Sequence, residues 1–195
     1  GLSFANILRS FLRQDPEVIL VGEIRDQETV EIAVKAALTG HLLLSTLHTN
    51  DSISTINRLL NMGVPNFMVA SALSLVVAQR LARKSCQSCL EPDEAGTREQ
   101  LLRMGFDEAE VGTVQPMRGA GCKTCGGSGY KGRQGIYEVL KVSGPIEAAI
   151  LQNKQSSEIL EIAISEGFQT MQQIGREFIK RHVISIEEYQ RTLVM

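Results

Sequence analysis

The sequence predicts an α/β protein built on parallel strands, followed by a small tetracysteine segment and a mostly helical tail. Two short, unbroken apolar runs, VILVG from Val18 and HLLLSTL from His41, flank a segment of helical pattern, ETVEIAVKAAL. Unbroken apolar runs of that length suit strands covered on both faces, as in a parallel sheet. Four cysteines fall as two Cys-x₂-Cys pairs downstream, and the last stretch of chain carries only short amphipathic segments.

Residues 3–13 place Phe4, Ile7, Leu8, Phe11 and Leu12 at helical spacing, and Pro16 limits the helix. The first apolar run is then a strand. Residues 28–38 form a helix that stops at Gly40, and HLLLSTL is the second strand. Strand, helix, strand is a βαβ unit with a right-handed crossover. Asn50 or Asp51 caps the next helix, through about Asn61, and Gly63 closes it. Asn66 opens a further helix, rich in Val, Ala and Leu, that is expected to reach about Leu81. The character changes at Arg83. Residues 83–133 hold all the cysteines and no long periodic segment before about Glu99, which predicts a small metal-stapled subdomain. GIYEVLKV reads as a strand, and three or four short helices complete the chain, the last opened by a capping box of Ser185 with Glu188. The expected division is residues 1–82, 83–133 and 134–195.

Composition narrows the function. The 195 residues carry a formal charge of -2, so no global positive field collects nucleic-acid phosphates, and with aromatics at 5% and no tryptophan stacking platforms are scarce. No nucleic-acid partner is expected. No segment has the apolar length of a membrane span, and the first 13 residues, with Arg9 and Arg13, do not read as a signal peptide. A cytoplasmic location follows as an expectation.

The stretch ILVGEIRD turns from apolar to acidic at Glu23. A carboxylate just past a buried parallel strand stands where open α/β sheets bind ligands, and there it can orient water or hold Mg²⁺ in phosphoryl transfer. The same pattern also fits a core strand running into a polar turn. His41 and His48 bracket the second strand, and Thr46, Thr49 and Asn50 add polar groups beside His48. Such histidines serve phosphate contact or plain structure. The cysteines speak more clearly. Cys86, Cys89, Cys122 and Cys125 form two knuckles able to close a tetrahedral Cys₄ site for one structural Zn²⁺, with Arg83, Lys84, Lys123 and Lys131 nearby to offset the thiolate charge. GSGYKGR, from Gly127, has phosphate-loop spacing but lacks the Lys-Ser/Thr that must follow, and no GxxxxGK[ST] occurs in the sequence.

Taken together, LRSFLRQDPEVILVGEIRDQETVEIAVKAALTGHLLLSTLHTND and the cysteines after it strongly resemble the secretion ATPases of type II secretion and type IV pilus assembly. The resemblance implies a RecA-like fold, here part of a P-loop NTPase core of three layers, in a hexameric motor using ATP and Mg²⁺. It implies an inner-membrane platform protein as partner and a position at the cytoplasmic side of the inner membrane. Glu23 matches the family's Walker B glutamate, His41 and His48 its histidine box, and the cysteines its zinc ligands. Arg9, Arg13, Arg25 and Arg133 match arginines of the family's core, some of which act at nucleotide and subunit contacts. Family members carry a phosphate loop upstream, so the chain reads as a C-terminal part expected neither to bind ATP tightly nor to hydrolyse it alone. The competing reading is a zinc-containing protein-binding module. CKTCGGSG fits one copy of the CxxCxGxG pattern of Hsp40-type co-chaperones.

Overall fold

The computed structural model describes residues 3–194. The chain forms two compact units. The first runs to Ala78 and takes in Val139–Phe168; the second comprises Gln79–Glu138 and the chain from Gln169 onward.

In the first unit, helix α1 (Phe4–Leu12) is capped by Ser3, whose hydroxyl accepts from Asn6 N–H. Strand β1 (Val18–Val21) pairs in parallel with β2 (Leu42–Ser45), Val18 facing Leu42 and Val21 facing Ser45. Between them α2 (Gln27–Leu38) starts at Asp26 and ends with Gly40 at φ 102°, a left-handed turn that glycine adopts without strain. Asp51, the second of the two expected caps, opens α3 (Ser52–Asn61). Helices α4 (Asn66–Ala72), α7 (Gly144–Leu151) and α8 (Ser156–Ser165) complete this unit. Val30, Ile56, Val69, Ile146, Ile150 and Ile159 belong to one core.

That core lies on one side of the β1–β2 sheet only. Ile19 and Val21 are buried, while Val18, Leu20, Leu42 and Leu44 leave 56%, 76%, 57% and 50% of their surface open. Parallel sheets are normally covered on both faces, so this apolar face is a surface left uncovered by the described residues.

The helix expected to continue from Asn66 to Leu81 ends at Ala72. A long strand, β3 (Leu75–Ser85), follows and pairs with β6 (Tyr130–Lys141). Ala, Leu, Gln and Arg are good helix formers, which is why the segment reads as helix. Its burial nevertheless alternates at Leu75–Gln79, with Val76 and Ala78 inward, and pairing with β6 overrides the propensity. Strand β6 also begins several residues earlier than GIYEVLKV suggests.

In the second unit, β4 (Leu90–Pro92) pairs antiparallel with β5 (Met117–Gly119), with α5 (Arg98–Arg103) and the short α6 (Glu108–Val111) between them. Helices α9 (Met171–Lys180) and α10 (Ile186–Leu193) close it around Leu101, Ile136, Ile179, Ile184, Ile186 and Tyr189. Ser185 caps α10 by accepting from Glu188 N–H at 3.2 Å, but the expected return half of the capping box is not made. The Glu188 carboxylate, fully buried, instead accepts from Arg83 N–H (2.6 Å), Arg83 Nε (2.7 Å) and Arg191. Burial pushes its pKa up, but the hydrogen bonds from Arg191 and Arg83 outweigh it and hold the group at about 2.

Candidate functional site

Two constellations of chemistry-bearing side chains stand out, one in each unit. In the first, the chain leaves β1 through Gly22 and reaches Glu23. Beyond the sheet ladder, Ile24 N–H donates to Thr46 C=O (3.0 Å) and Thr46 Oγ1 donates to Gly22 C=O (2.7 Å). These bonds tie together the carboxyl ends of two parallel strands, the edge at which open α/β sheets place ligands. They bring Glu23 and His48, separated by a strand and a helix in sequence, onto one edge. His48 Nε2 lies 3.2 Å from Glu23 Oε2, and Arg25 Nε donates to the same oxygen at 2.7 Å. The Arg25 hydrogen bond lowers the Glu23 pKa, with burial opposing it and His48 adding to the lowering, so the carboxylate is ionised at neutral pH.

The neighbouring Asp26 has another task. Its carboxylate accepts from Thr29 N–H (2.8 Å) and Thr29 Oγ1 (2.9 Å), which fixes the start of α2 and pulls its own pKa down. Sequence reasoning missed this anchor, although a short acid three residues before a threonine is a capping signal.

The two histidines part company. His41 sits before β2 and His48 after it, so they occupy opposite ends of the strand. His41 Nδ1 lies 3.0 Å from Ala36 C=O and 3.2 Å from Thr39 Oγ1, at the carboxyl end of α2. The structure thus assembles Glu23, His48 and Arg25, and leaves His41 outside that group. Arg9, on α1, donates to Asn6 Oδ1 (3.0 Å) and to Glu28 on α2 (2.9 Å). The Arg13 guanidinium, just past α1, has no hydrogen bond or ion pair among the described residues.

The second constellation is the cysteine cluster, together with Arg133 on β6 elsewhere in the second unit. Each Cys-x₂-Cys pair closes on a 3₁₀ turn, Gln87–Cys89 and Lys123–Cys125. Sγ atoms stand 3.9 Å apart for Cys86 and Cys122, 4.0 Å for Cys89 and Cys125, and 3.8 Å for Cys122 and Cys125. All four lie within 4.8 Å of one another. A disulfide needs about 2.05 Å. Four sulfurs about 2.3 Å from one zinc ion stand about 3.8 Å apart, so the cluster is compatible with that ion.

Backbone amides turn toward the sulfurs. Cys122 N–H donates to Cys125 Sγ at 3.1 Å, Gly129 N–H to the same sulfur at 3.3 Å, and Gly121 N–H to Cys89 Sγ at 3.3 Å. The Cys122 amide is the main reason the Cys125 thiol falls to about 6, and burial pushes Cys89 up to about 12. The knuckles pack without room for side chains: a Cβ on Gly129 would stand 2.3 Å from Gly119 O, and one on Gly119 2.0 Å from Gly129 O. That close approach explains two of the glycines crowded around the second pair.

Comparison with known proteins gives the family of the chain. The profile of the family described as "Type II/IV secretion system protein" matches residues 1–191. The type IV pilus assembly ATPase PilB of Pseudomonas aeruginosa is 49% identical over 191 residues, 98% of this chain and 33% of that protein. The type II secretion system ATPase E of Vibrio cholerae is 40% identical over 190 residues, 97% of this chain and 37% of its own length. The chain therefore spans about a third of the curated relatives it matches. Among solved structures, the pilus retraction motor PilT with bound ADP superposes with a TM-score of 0.65 at 29% identity, over 97% of this chain and 43% of that one. The α/β fold is similar to that motor's, and the chain belongs to the type II/IV secretion system protein family.

Proposed function

We propose that this chain is the distal part of a motor ATPase of type II secretion or type IV pilus assembly, in which Glu23 is the carboxylate that orients the attacking water and helps hold Mg²⁺. The observation that carries the reading is the Glu23–His48–Arg25 group at the carboxyl ends of two parallel strands, in a chain of this family. Bound MgATP would supply the phosphoryl group and its charge-neutralising metal; the chain's residues supply position and polarity. Glu23, ionised at neutral pH and with its pKa lowered further by Arg25, can accept a hydrogen bond from water. His48, whose side chain is 80% exposed, faces solvent while held to Glu23 and can donate to a phosphate oxygen.

His41 is assigned a supporting role, setting the end of α2 from which β2 departs. Arg9, Arg13, Arg25 and Arg133 are assigned to nucleotide and subunit contacts. The phosphate cradle, its lysine and the covering of the exposed β1–β2 face would come from the rest of the polypeptide. Assembly is proposed to be a homo-hexamer on the cytoplasmic side of the inner membrane, acting on a platform protein. Among the described residues no helix is long and apolar enough to cross a membrane. Zinc, one per chain on Cys86, Cys89, Cys122 and Cys125, would be structural: four thiolates fill a tetrahedral shell and leave no position for substrate.

The test is Glu23→Gln in the longer protein. Nucleotide binding should persist while ATP turnover falls by about two orders of magnitude or more. Turnover at the unmodified rate would remove Glu23 from the chemistry.

A further inference from the structure

A second polar assembly, unrelated to the cysteines, lies in the second unit. Leu81, Arg83, Arg133 and Arg191 line an open hollow of about 390 Å³. Two of the three guanidiniums are fixed in place. Arg83 donates to Glu188 through its backbone N–H and Nε, its Nη2 lies 2.7 Å from the same carboxylate, and its guanidinium sits 3.9 Å from the centroid of the Tyr130 ring. Arg191 reaches the same buried carboxylate through Nε (2.9 Å) and Nη2. In both, Nη1 has no hydrogen bond among the described residues. Arg133 is exposed on β6 and its whole guanidinium has no partner among them.

The charges do not balance. Glu188 is shared by two guanidiniums, and the other nearby carboxylate, Glu187, is 74% exposed and stands 3.7 Å from Arg83 Nη2 while also accepting from Tyr130 OH. Among the described residues, three permanent cations stand against these two acids. Here one fully buried carboxylate orients two of the arginines that line the hollow. Planar guanidiniums held in fixed orientation suit an anion with several oxygens, which takes more than one fork at once.

We propose that Arg83, Arg133 and Arg191 form a binding site for a phosphate-bearing anion, with Glu188 as the residue that positions two of them. The site deepens the contact assigned above to Arg133 by adding Arg83, Arg191 and Glu188, and it does not depend on Glu23, since all its residues lie in the second unit. Arg191 and Glu188 come from the last helix, so the carboxyl-terminal segment gains a recognition role. The anion is either a free oligophosphate, such as the phosphate chain of a nucleotide, or the headgroup of an anionic lipid.

The test uses this 195-residue chain at low salt, titrated with tripolyphosphate without divalent metal, and in a second arm sedimented with phosphatidylglycerol–phosphatidylcholine vesicles against phosphatidylcholine alone. One saturable event in the millimolar range or tighter is expected in at least one arm, lost as salt is raised. Tripolyphosphate binding without vesicle capture assigns a free phosphate; capture by the anionic vesicles alone assigns a headgroup. Arg133→Gln and Arg191→Gln should each weaken the event about tenfold or more, as expected for one charge-assisted hydrogen bond. Arg191→Lys, which keeps the charge and loses the fork, should recover only part of it. Arg98→Gln, whose arginine pairs with Glu108 outside the hollow, should change nothing. Thermal melts confirm that each variant is folded. Absence of saturable binding in both arms, or equal loss in Arg98→Gln, overturns the site.

Discussion

The Glu23 group and the cysteine cluster differ in how far the chain completes them. Around the cysteines, ligands, backbone donors and tight glycines come from two short segments, and the four sulfurs already stand at metal-binding separations. Around Glu23, the carboxylate, His48 and Arg25 side chains are 39%, 80% and 70% exposed, and the sheet carrying them has one bare apolar face. One site is closed by its own neighbourhood. The other presents the groups proposed as catalytic on an open sheet edge. A motif with all its ligands in local knuckles is complete within a short stretch of chain; a motif on a sheet edge depends on the neighbouring strands and loops.

The largest effect should come from attacking the closed site. Removing zinc with a strong chelator, or Cys122→Ser, should unfold the second unit, because metal-binding energy in such small sites is folding energy of several kcal/mol. Elemental analysis should give one zinc per chain before treatment, and circular dichroism melts should show one transition lost. Gly129→Ala should come next. Its φ is +74° and the new methyl meets Gly119 O, so stability should drop by at least about 2 kcal/mol, with zinc affinity reduced.

Acid should also separate the two regions. The Glu188 pKa is depressed from 4.5 to about 2, so its contribution is fully present above about pH 4.5 and is lost as pH falls toward 2. A shift of that size corresponds to about 3 kcal/mol. Denaturant melts of the second unit should weaken across that window, and Glu188→Gln should flatten the dependence. Asp26→Ala should cost about 1 kcal/mol by uncapping α2. Smallest of all, Arg9→Ala removes an ion pair whose side chains are 49% and 56% exposed, and melts should move by less than about 1 kcal/mol.

Much of this was legible in the sequence, and the misses have physical causes. Helix α2 and its glycine stop, the Asp51 cap and the two cysteine knuckles follow from local spacing, and local spacing decides them. The strand at Leu75–Ser85 is hidden in the sequence because its residues favour helix in isolation, while a partner strand far along the chain decides otherwise. Local spacing makes Glu188 half of a capping box with Ser185. Its carboxylate is drawn away by Arg83, 105 positions earlier, a contact no local pattern announces. The histidines show the same limit at close range: both flank β2, but only pairing with β1 reveals that His48 meets Glu23 while His41 lies at the far end.

The contrast between a closed cysteine cluster and an open edge proposed as catalytic is tested most directly by calorimetric titration of MgATP into the 195-residue chain at physiological salt. The account predicts no binding tighter than about millimolar and no hydrolysis. Micromolar binding that is lost in Glu23→Gln would contradict it, because the Glu23 edge would then cradle a triphosphate unaided.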